Sequence, residues 1–371
     1  MNTGVVGTLL VFALLFIGDW IAGVTSGGAA WGLGPQTDFG WSGWVTWVLI
    51  GMLLASVISL LVPDHTIFEV GPREITVMLW GSTLYGVLSW IFNIIPVPAI
   101  SLLALRPVVV VPVFCGLTFG PAVGFVVGAA GTVLGDAITG WGVFPIWVVG
   151  AGLMGMVPGL IHGITPQKVG ARTQLLLWVV ATVLAVGVVL PLISPTITDP
   201  FSGTPADFGA WAYITAVVLA LTLTAALIPA LWPTLLGLTM LAVILFGVLD
   251  AVQKGLSAGP VVLWMLAAAG IAAAGMLARR GPLRRRWLPG EQIREIVVWG
   301  ALGVIVGMGF AGGADIAYNG YSFTTAIIGE FLPAATTDVL FVVTLTPLVI
   351  AALKAAETHP ETSLDDSSAG R

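Results

Sequence analysis

The residues of this chain that could do chemistry are a few polar and charged side chains within or beside long apolar segments. Arg106 opens one such segment, Asp136 lies near the end of the next, and Asp338 lies inside the last. A charge within a bilayer is costly, so it ordinarily faces a protein interior or a cavity and pairs with another group or a ligand. We therefore predict a ligand site that uses charge-assisted hydrogen bonds. The candidate contacts are Asn93, Arg106, Asp136, Trp141, Trp147, Asp315, Tyr318, Asn319 and Asp338.

Some of these candidates have an alternative interpretation that the sequence leaves open. Trp and Tyr are common anchors at the membrane interface. Arg106 stands at a helix end, where an arginine side chain can extend to the interface without any ligand. Asp338 follows Thr336 and Thr337, whose hydroxyls could satisfy it.

Catalytic and metal sites are not predicted. No arrangement of Ser, His and Asp or of Cys and His suggests a nucleophile, so we expect no enzyme activity and no cofactor. The three histidines, His65, His162 and His359, lie at predicted helix boundaries or in the tail, away from any carboxylate cluster. The chain has one cysteine and a net charge of -5, which argue against a disulfide framework and against nucleic acid as a partner.

Composition predicts an all-α, polytopic membrane protein. Hydrophobic residues make up 58% of the chain, charged residues only 8%, and the mean hydropathy is +1.05. Apolar stretches, compared with the roughly 20 residues of one crossing, predict about twelve transmembrane helices. These are Val5–Val24, Trp44–Val62, Ile75–Ile94, Pro107–Phe119, Pro121–Ile138, Pro145–Ile161, Leu175–Ile193, Trp211–Leu231, Leu235–Leu249, Val261–Leu277, Ile296–Ala317 and Phe331–Leu353. The stretch Pro107–Phe119 is the shortest, and Pro112 could tilt or break it.

Positive charges predict the orientation. The loop Ala278–Arg294 holds six arginines and should be cytoplasmic, because cytoplasmic loops carry an excess of Lys and Arg. Counting helices from this loop places eleven of the 13 basic residues on the same side and makes both termini cytoplasmic. The lipid bilayer is therefore the predicted environment.

Glycines recur through the segment that ends at Asp136. They occupy positions 120, 124, 128, 131 and 135, a spacing that places small residues on one face of a helix. In a bilayer this spacing lets a second helix or a ligand approach the backbone closely.

The block from Trp90 to Gly163 resembles the substrate-binding S component of energy-coupling factor (ECF) vitamin transporters. It contains, in the family's order, a loop with Pro-Val-Pro, a helix opening with Arg-Pro, a Phe-Gly-Pro turn, a glycine-rich helix ending in Asp, and a helix rich in Gly-Leu-x-x-Gly. The stretch from Glu295 to Leu353 is similar to the family's last two helices. The resemblance implies that the Pro-Val-Pro loop, between Asn93 and Arg106, gates the ligand site and that Asp338 contacts the ligand.

The resemblance also implies a domain organisation with a six-helix core, enlarged by extra helices. Two extra helices occupy 1–70, and core helices 1–4 occupy 71–173. About four inserted helices and the basic loop occupy 174–294, core helices 5–6 occupy 295–356, and 357–371 is an acidic, disordered tail.

The implied function is that of the substrate-binding subunit of an ATP-driven importer in the plasma membrane of a prokaryote. The chain has no phosphate-binding GxxxxGK[ST] loop, so the family's partners, a transmembrane coupling (T) protein and a pair of ABC-type ATPases, would supply the energy. Ser82 and Gly86 resemble the family's small-residue contact for the partner, although close packing within the protein explains them equally well. The ligand would be a vitamin-like small organic molecule. A proton-coupled secondary transporter and an interfacial membrane enzyme are the alternatives.

Overall fold

The computed structural model describes residues 65–93, 96–97, 103–141, 144–164, 166–193, 196–198, 205–207, 288–318 and 321–357, with isolated positions between 217 and 270. Six of the described helices are long and apolar enough to cross a membrane, and a shorter one is also apolar. The predicted all-α, polytopic membrane fold is confirmed. The predicted spans before residue 65 and those between 211 and 277 lie outside the continuously described ranges.

The described α-helices are α1 (Pro72–Phe92), α2 (Val110–Phe119), α3 (Pro121–Thr139), α4 (Pro145–Gly159), α5 (Pro166–Ile193), α6 (Gly290–Tyr318) and α7 (Leu332–Glu357). Short connections join α1 through α5, and a long stretch of chain separates α5 from α6. A π-helix, Thr325–Phe331, leads into α7. Turns of 3-10 helix span His65–Phe68, Pro107–Val109 and Leu160–Gly163. Two antiparallel ribbons pair β1 (Pro96–Val97) with β2 (Leu103–Ala104) and β3 (Thr196–Thr198) with β4 (Pro205–Asp207).

Proline and glycine define several helix ends. Helices α1, α3, α4 and α5 each begin with a proline, which suits a first turn because its N–H groups have no partner within the helix. The turn between α2 and α3 is a single residue, Gly120, with a φ of 102°. This backbone conformation favours glycine. Pro112 does not break α2, because it lies in the first turn, where the missing N–H costs no helical hydrogen bond.

The glycines of α3 bring backbones into direct contact. A Cβ at Gly124 would overlap the carbonyl oxygen of Gly155 in α4. Further along α3, a Cβ at Gly131 would overlap the Tyr85 ring of α1. The glycine face predicted from spacing therefore packs against two different helices, α4 near its start and α1 near its end.

Helices α6 and α7 complete the same bundle. Helix α6 packs against α4, where Gly150 and Gly307 face each other. Helix α7 packs against α6 and α2, and its side chains belong to the main apolar core. The bundle therefore includes the segments on both sides of the long stretch between 194 and 287.

Two predicted domain boundaries fall inside continuous helices. Helix α5 crosses the boundary at 173 and 174, and α6 crosses the boundary at 294 and 295. Helix α5 also packs on α6, where the Trp299 indole N–H donates to the Thr173 hydroxyl over 3.2 Å. Beyond the predicted boundary, Leu177, Val180 and Leu184 of α5 belong to the main apolar core, so this described part of the predicted insert is attached to the core bundle.

Candidate ligand-binding site

Three side chains predicted separately form one hydrogen-bonded cluster. Asn93 caps the end of α1, Arg106 follows strand β2, and Asp136 lies in the last turn of α3. The Arg106 Nη2 is 2.8 Å from the Asp136 Oδ1, and the Arg106 Nε donates to the Asn93 Oδ1 over 2.8 Å. Asn93 and Asp136 are buried. We call these three residues the polar cluster.

Two neighbours hold the polar cluster in place. The Asn93 side-chain amide donates to the Thr139 hydroxyl over 2.8 Å, and that hydroxyl donates to the Gly135 carbonyl oxygen over 2.6 Å. The Arg106 guanidinium lies over the Trp141 ring, 5.6 Å from its centroid. The Arg106 guanidinium therefore contacts a carboxylate, a side-chain amide and an aromatic ring, and these three contacts fix its orientation.

A small cavity adjoins Arg106 and reaches α7. Its volume is about 40 Å³, and its lining includes Arg106, Trp147 and Asp338. Strand β2 covers part of it through Leu103 and Ala104. This volume admits no more than a few water molecules, whereas pockets for small organic ligands measure roughly 300 Å³ or more.

Asp338 is buried in α7, and its threonine neighbours donate no hydrogen bond to it. The Thr337 hydroxyl donates to the carbonyl oxygens of Pro333 and Ala334, at 3.2 and 3.0 Å. Among the described residues, the buried Thr336 hydroxyl has no hydrogen-bond partner. The geometry thus gives no support to the alternative in which the threonines satisfy Asp338.

The structure does not bring every candidate to this cavity. Asp315 is buried in the last turn of α6 and is not among the lining residues; its backbone carbonyl accepts from the Tyr321 N–H at 3.4 Å. The side chain of Tyr318 and the whole of Asn319 lie outside the described residues.

Other lining residues were not predicted from the sequence. Tyr85, Thr132 and Met308 contribute to the cavity wall. Tyr85 and Thr132 are buried and carry hydroxyl groups within predicted membrane spans. That combination is the signal that could have singled them out.

The packing of Ser82 and Gly86 supports the alternative in which these residues make a close contact within the protein. Their role as a contact for a partner protein stays a prediction. Gly86 is buried, and a Cβ there would lie 2.7 Å from the Leu134 side chain of α3. The Ser82 hydroxyl donates to the Val126 carbonyl oxygen of α3 over 3.4 Å. This face of α1 is an internal helix interface, which is the alternative that small-residue spacing left open.

Within the described ranges, no group of three or more His, Cys, Asp or Glu residues could hold a metal ion. The polar cluster has one carboxylate, one amide and one guanidinium. A guanidinium repels cations and favours anionic or hydrogen-bond-accepting groups. The site is therefore suited to an organic ligand with such groups.

Comparison with known proteins agrees with the predicted resemblance. Residues 69–245 match the family model described as the S component of the ECF-type riboflavin transporter. The match includes α1 to α5 and thus the whole polar cluster. It ends before α6 and α7, which contribute Met308 and Asp338 to the cavity.

Curated relatives match a shorter stretch. A UPF0397 protein of Vibrio atlanticus (strain LGP32) is 35% identical over 96 residues, and one of Aliivibrio fischeri (strain MJ11) is 33% identical over 97 residues. Each match covers 26% of this chain and 52% of the relative, so the chain spans about half the length of these relatives. No solved structure matches the chain significantly. The predicted resemblance is confirmed: this multi-pass membrane protein carries a region that matches the S components of ECF-type transporters.

Proposed function

We propose that the chain is the substrate-binding subunit of an ATP-driven ECF-type importer and that it captures a vitamin-like molecule from outside the cell. The observation that carries this proposal is the convergence of Arg106, Asp136 and Asn93 at one end of the bundle, beside a cavity that Arg106 and Asp338 line. Buried charges of this kind mark substrate sites in membrane proteins. The matched family is one of transporter components, which favours transport over an enzyme activity.

The side chains around the cavity favour a flat, polar ligand. Arg106 offers hydrogen-bond donors, Asp338 offers acceptors, and Tyr85 and Trp147 offer aromatic surface. Aromatic side chains stack on planar rings, so a heteroaromatic vitamin suits this combination. The description of the matched family makes riboflavin the first compound to test.

Energy for uptake would come from partner proteins. The sequence has no phosphate-binding loop, so we assign ATP hydrolysis to a pair of ABC-type ATPases joined to this chain by a T protein. The proposed location is the plasma membrane of a prokaryote, with both termini in the cytoplasm, as the arginine-rich loop predicts.

The proposal is tested by identifying what the purified full-length protein retains. Mass spectrometry of the denatured protein is expected to release one vitamin-like compound, and titration with that compound should give a 1:1 complex. Uptake in cells should stop when ATP is depleted but survive a protonophore. The reverse dependence would favour the proton-coupled transporter, and turnover of the compound without transport would favour the membrane enzyme.

Substitution of Asp338 tests the ligand site itself. Asp338→Asn keeps the size of the side chain and one acceptor but removes the charge. We expect the protein to insert and fold, and its dissociation constant for the co-purified compound to rise about tenfold or more, the worth of one charge-assisted hydrogen bond. Asp338→Leu should fold and show no measurable binding.

The matched control is Thr344→Val in the same helix. Thr344 is buried, and its hydroxyl donates to the backbone carbonyl oxygen of Leu340, away from the cavity. This variant should bind as the unmodified protein does. Unchanged dissociation constants in both Asp338 variants would show that the ligand lies elsewhere.

A further inference from the structure

A second cavity lies apart from the ligand-binding site, on the side of the bundle formed by α1 and α2. It is a groove of about 470 Å³, lined almost entirely by apolar side chains. Trp80, Leu84, Phe114 and Phe119 form much of its wall. Trp80 is 73% exposed and Leu84 51% exposed, so the groove opens on the outer surface of the described bundle.

Arg73 stands at one end of this groove. It lies in the first turn of α1, and its guanidinium is 5.4 Å from the centroid of the Phe119 ring. Thr76, one turn further along α1, also lines the groove. Because Pro72 begins α1 and Phe119 ends α2, this end of the groove coincides with the end of both helices, where a membrane-spanning segment meets water.

The charge of Arg73 is available to a ligand. Among the described residues, the structure has one ion pair within 4.0 Å, and it joins Arg106 to Asp136. The nearest acidic residue in the sequence, Glu74, uses its Oε2 to accept a hydrogen bond from the Gly71 N–H at 3.0 Å. Its carboxylate therefore caps its own helix. Arg73 is exposed and rests on an aromatic ring.

We propose that this groove binds an anionic phospholipid. An acyl chain lies in the apolar groove against Trp80 and Phe114, and the phosphate of the head group accepts hydrogen bonds from the Arg73 guanidinium. A guanidinium at the membrane surface attracts anionic head groups and can engage a phosphate through two parallel hydrogen bonds. The predicted orientation places Arg73 on the cytoplasmic side, where anionic lipids attract basic residues. This inference does not depend on the transport proposal.

The test titrates lipid into the delipidated full-length protein and counts adducts by native mass spectrometry. Dioleoyl phosphatidylglycerol is the anionic probe, and dioleoyl phosphatidylcholine is the neutral probe with the same acyl chains. We expect one saturable adduct with a clear preference for phosphatidylglycerol. Arg73→Gln should weaken that adduct roughly fivefold, the worth of one surface cation, and should abolish the preference between the two lipids.

Two further variants make the result specific. Arg172→Gln removes an exposed cation from the first turns of α5, away from the groove, and should leave the preference intact. Thr76→Trp fills the groove beside Arg73 and should remove the saturable adduct of both lipids. Equal affinity for the two lipids, or an unchanged adduct in Arg73→Gln, would overturn the proposal. The absence of any saturable adduct would overturn it too, and would mean that another protein segment covers the groove.

Discussion

Arg106→Leu is expected to abolish ligand binding and to destabilise the protein by about 3–5 kcal/mol, the usual cost of removing one partner from a buried ion pair. Asp136 is buried, and the Arg106 guanidinium contacts it at 2.8 Å. Without Arg106, the one remaining side-chain donor to this carboxylate among the described residues is the Asn93 amide, 3.5 Å away. Thermal unfolding in detergent and titration with the co-purified compound measure the two effects separately.

The double variant, Arg106→Leu with Asp136→Leu, separates structure from function. Replacing both members of a buried ion pair with apolar residues is often neutral or stabilising. The unfolding temperature of the double variant should therefore lie close to that of the unmodified protein and above that of Arg106→Leu. The double variant should still fail to bind the ligand, because the guanidinium is gone. Recovered binding would show that the ion pair serves only the fold and that the ligand site must be sought elsewhere.

Gly124→Ala is expected to destabilise the bundle by about 3 kcal/mol, near the upper end for overpacking, and Gly124→Leu should prevent folding. A Cβ at Gly124 would overlap the Gly155 carbonyl oxygen and approach the Gly155 carbonyl carbon to 2.6 Å. These are backbone atoms, so no side chain can rotate away, and α3 would have to separate from α4. The yield of monodisperse protein on size exclusion and the unfolding temperature report the damage.

The matched control is Gly170→Ala in α5. No atom of the described residues lies within 4 Å of a Cβ at Gly170, so this variant should be neutral or gain up to about 1 kcal/mol from the better helix propensity of alanine. Replacement by alanine is therefore expected to lower the stability of the protein at Gly124 and to leave it unchanged or raise it at Gly170. Equal destabilisation in both variants would refute the close contact between α3 and α4.

The described helices could largely be predicted from the sequence, because a membrane crossing requires a long apolar run. Prediction and structure agree within a few residues for α1 and α3. Helices α5 and α6 begin nine and six residues earlier than predicted, at Pro166 and Gly290. Hydropathy marks where a segment enters the bilayer, whereas helical hydrogen bonds continue through the polar turns outside it.

The candidate site was predicted only in part. Asn93, Arg106 and Asp136 were each conspicuous, because polar groups are rare in apolar segments. Their pairing was not predictable, since Arg106 is 13 residues from Asn93 and 30 from Asp136, and only the fold brings them together. Asp338 comes from a helix some two hundred positions further along the chain.

The spacing of small residues in α1 predicts a close helix contact but not which helix makes it. Ser82 and Gly86 have the spacing of a helix contact, and the structure contains that contact, but the second helix is α3 of the same chain. Spacing reports how closely a neighbour approaches and carries no information about which chain the neighbour belongs to. Distinguishing an internal contact from a partner contact requires the packing of the whole bundle.

For the uptake function proposed above, the small volume of the cavity beside Arg106, about 40 Å³, has a kinetic consequence. A vitamin-sized ligand can enter only after the walls have separated, so the conformation described here is one that does not admit it. The observed dissociation constant then equals the intrinsic one divided by the fraction of protein that is open. At high ligand concentration the association rate stops rising and equals the rate of opening. Under the proposed function, the rate at which the cavity opens would therefore limit the rate of ligand capture at any ligand concentration.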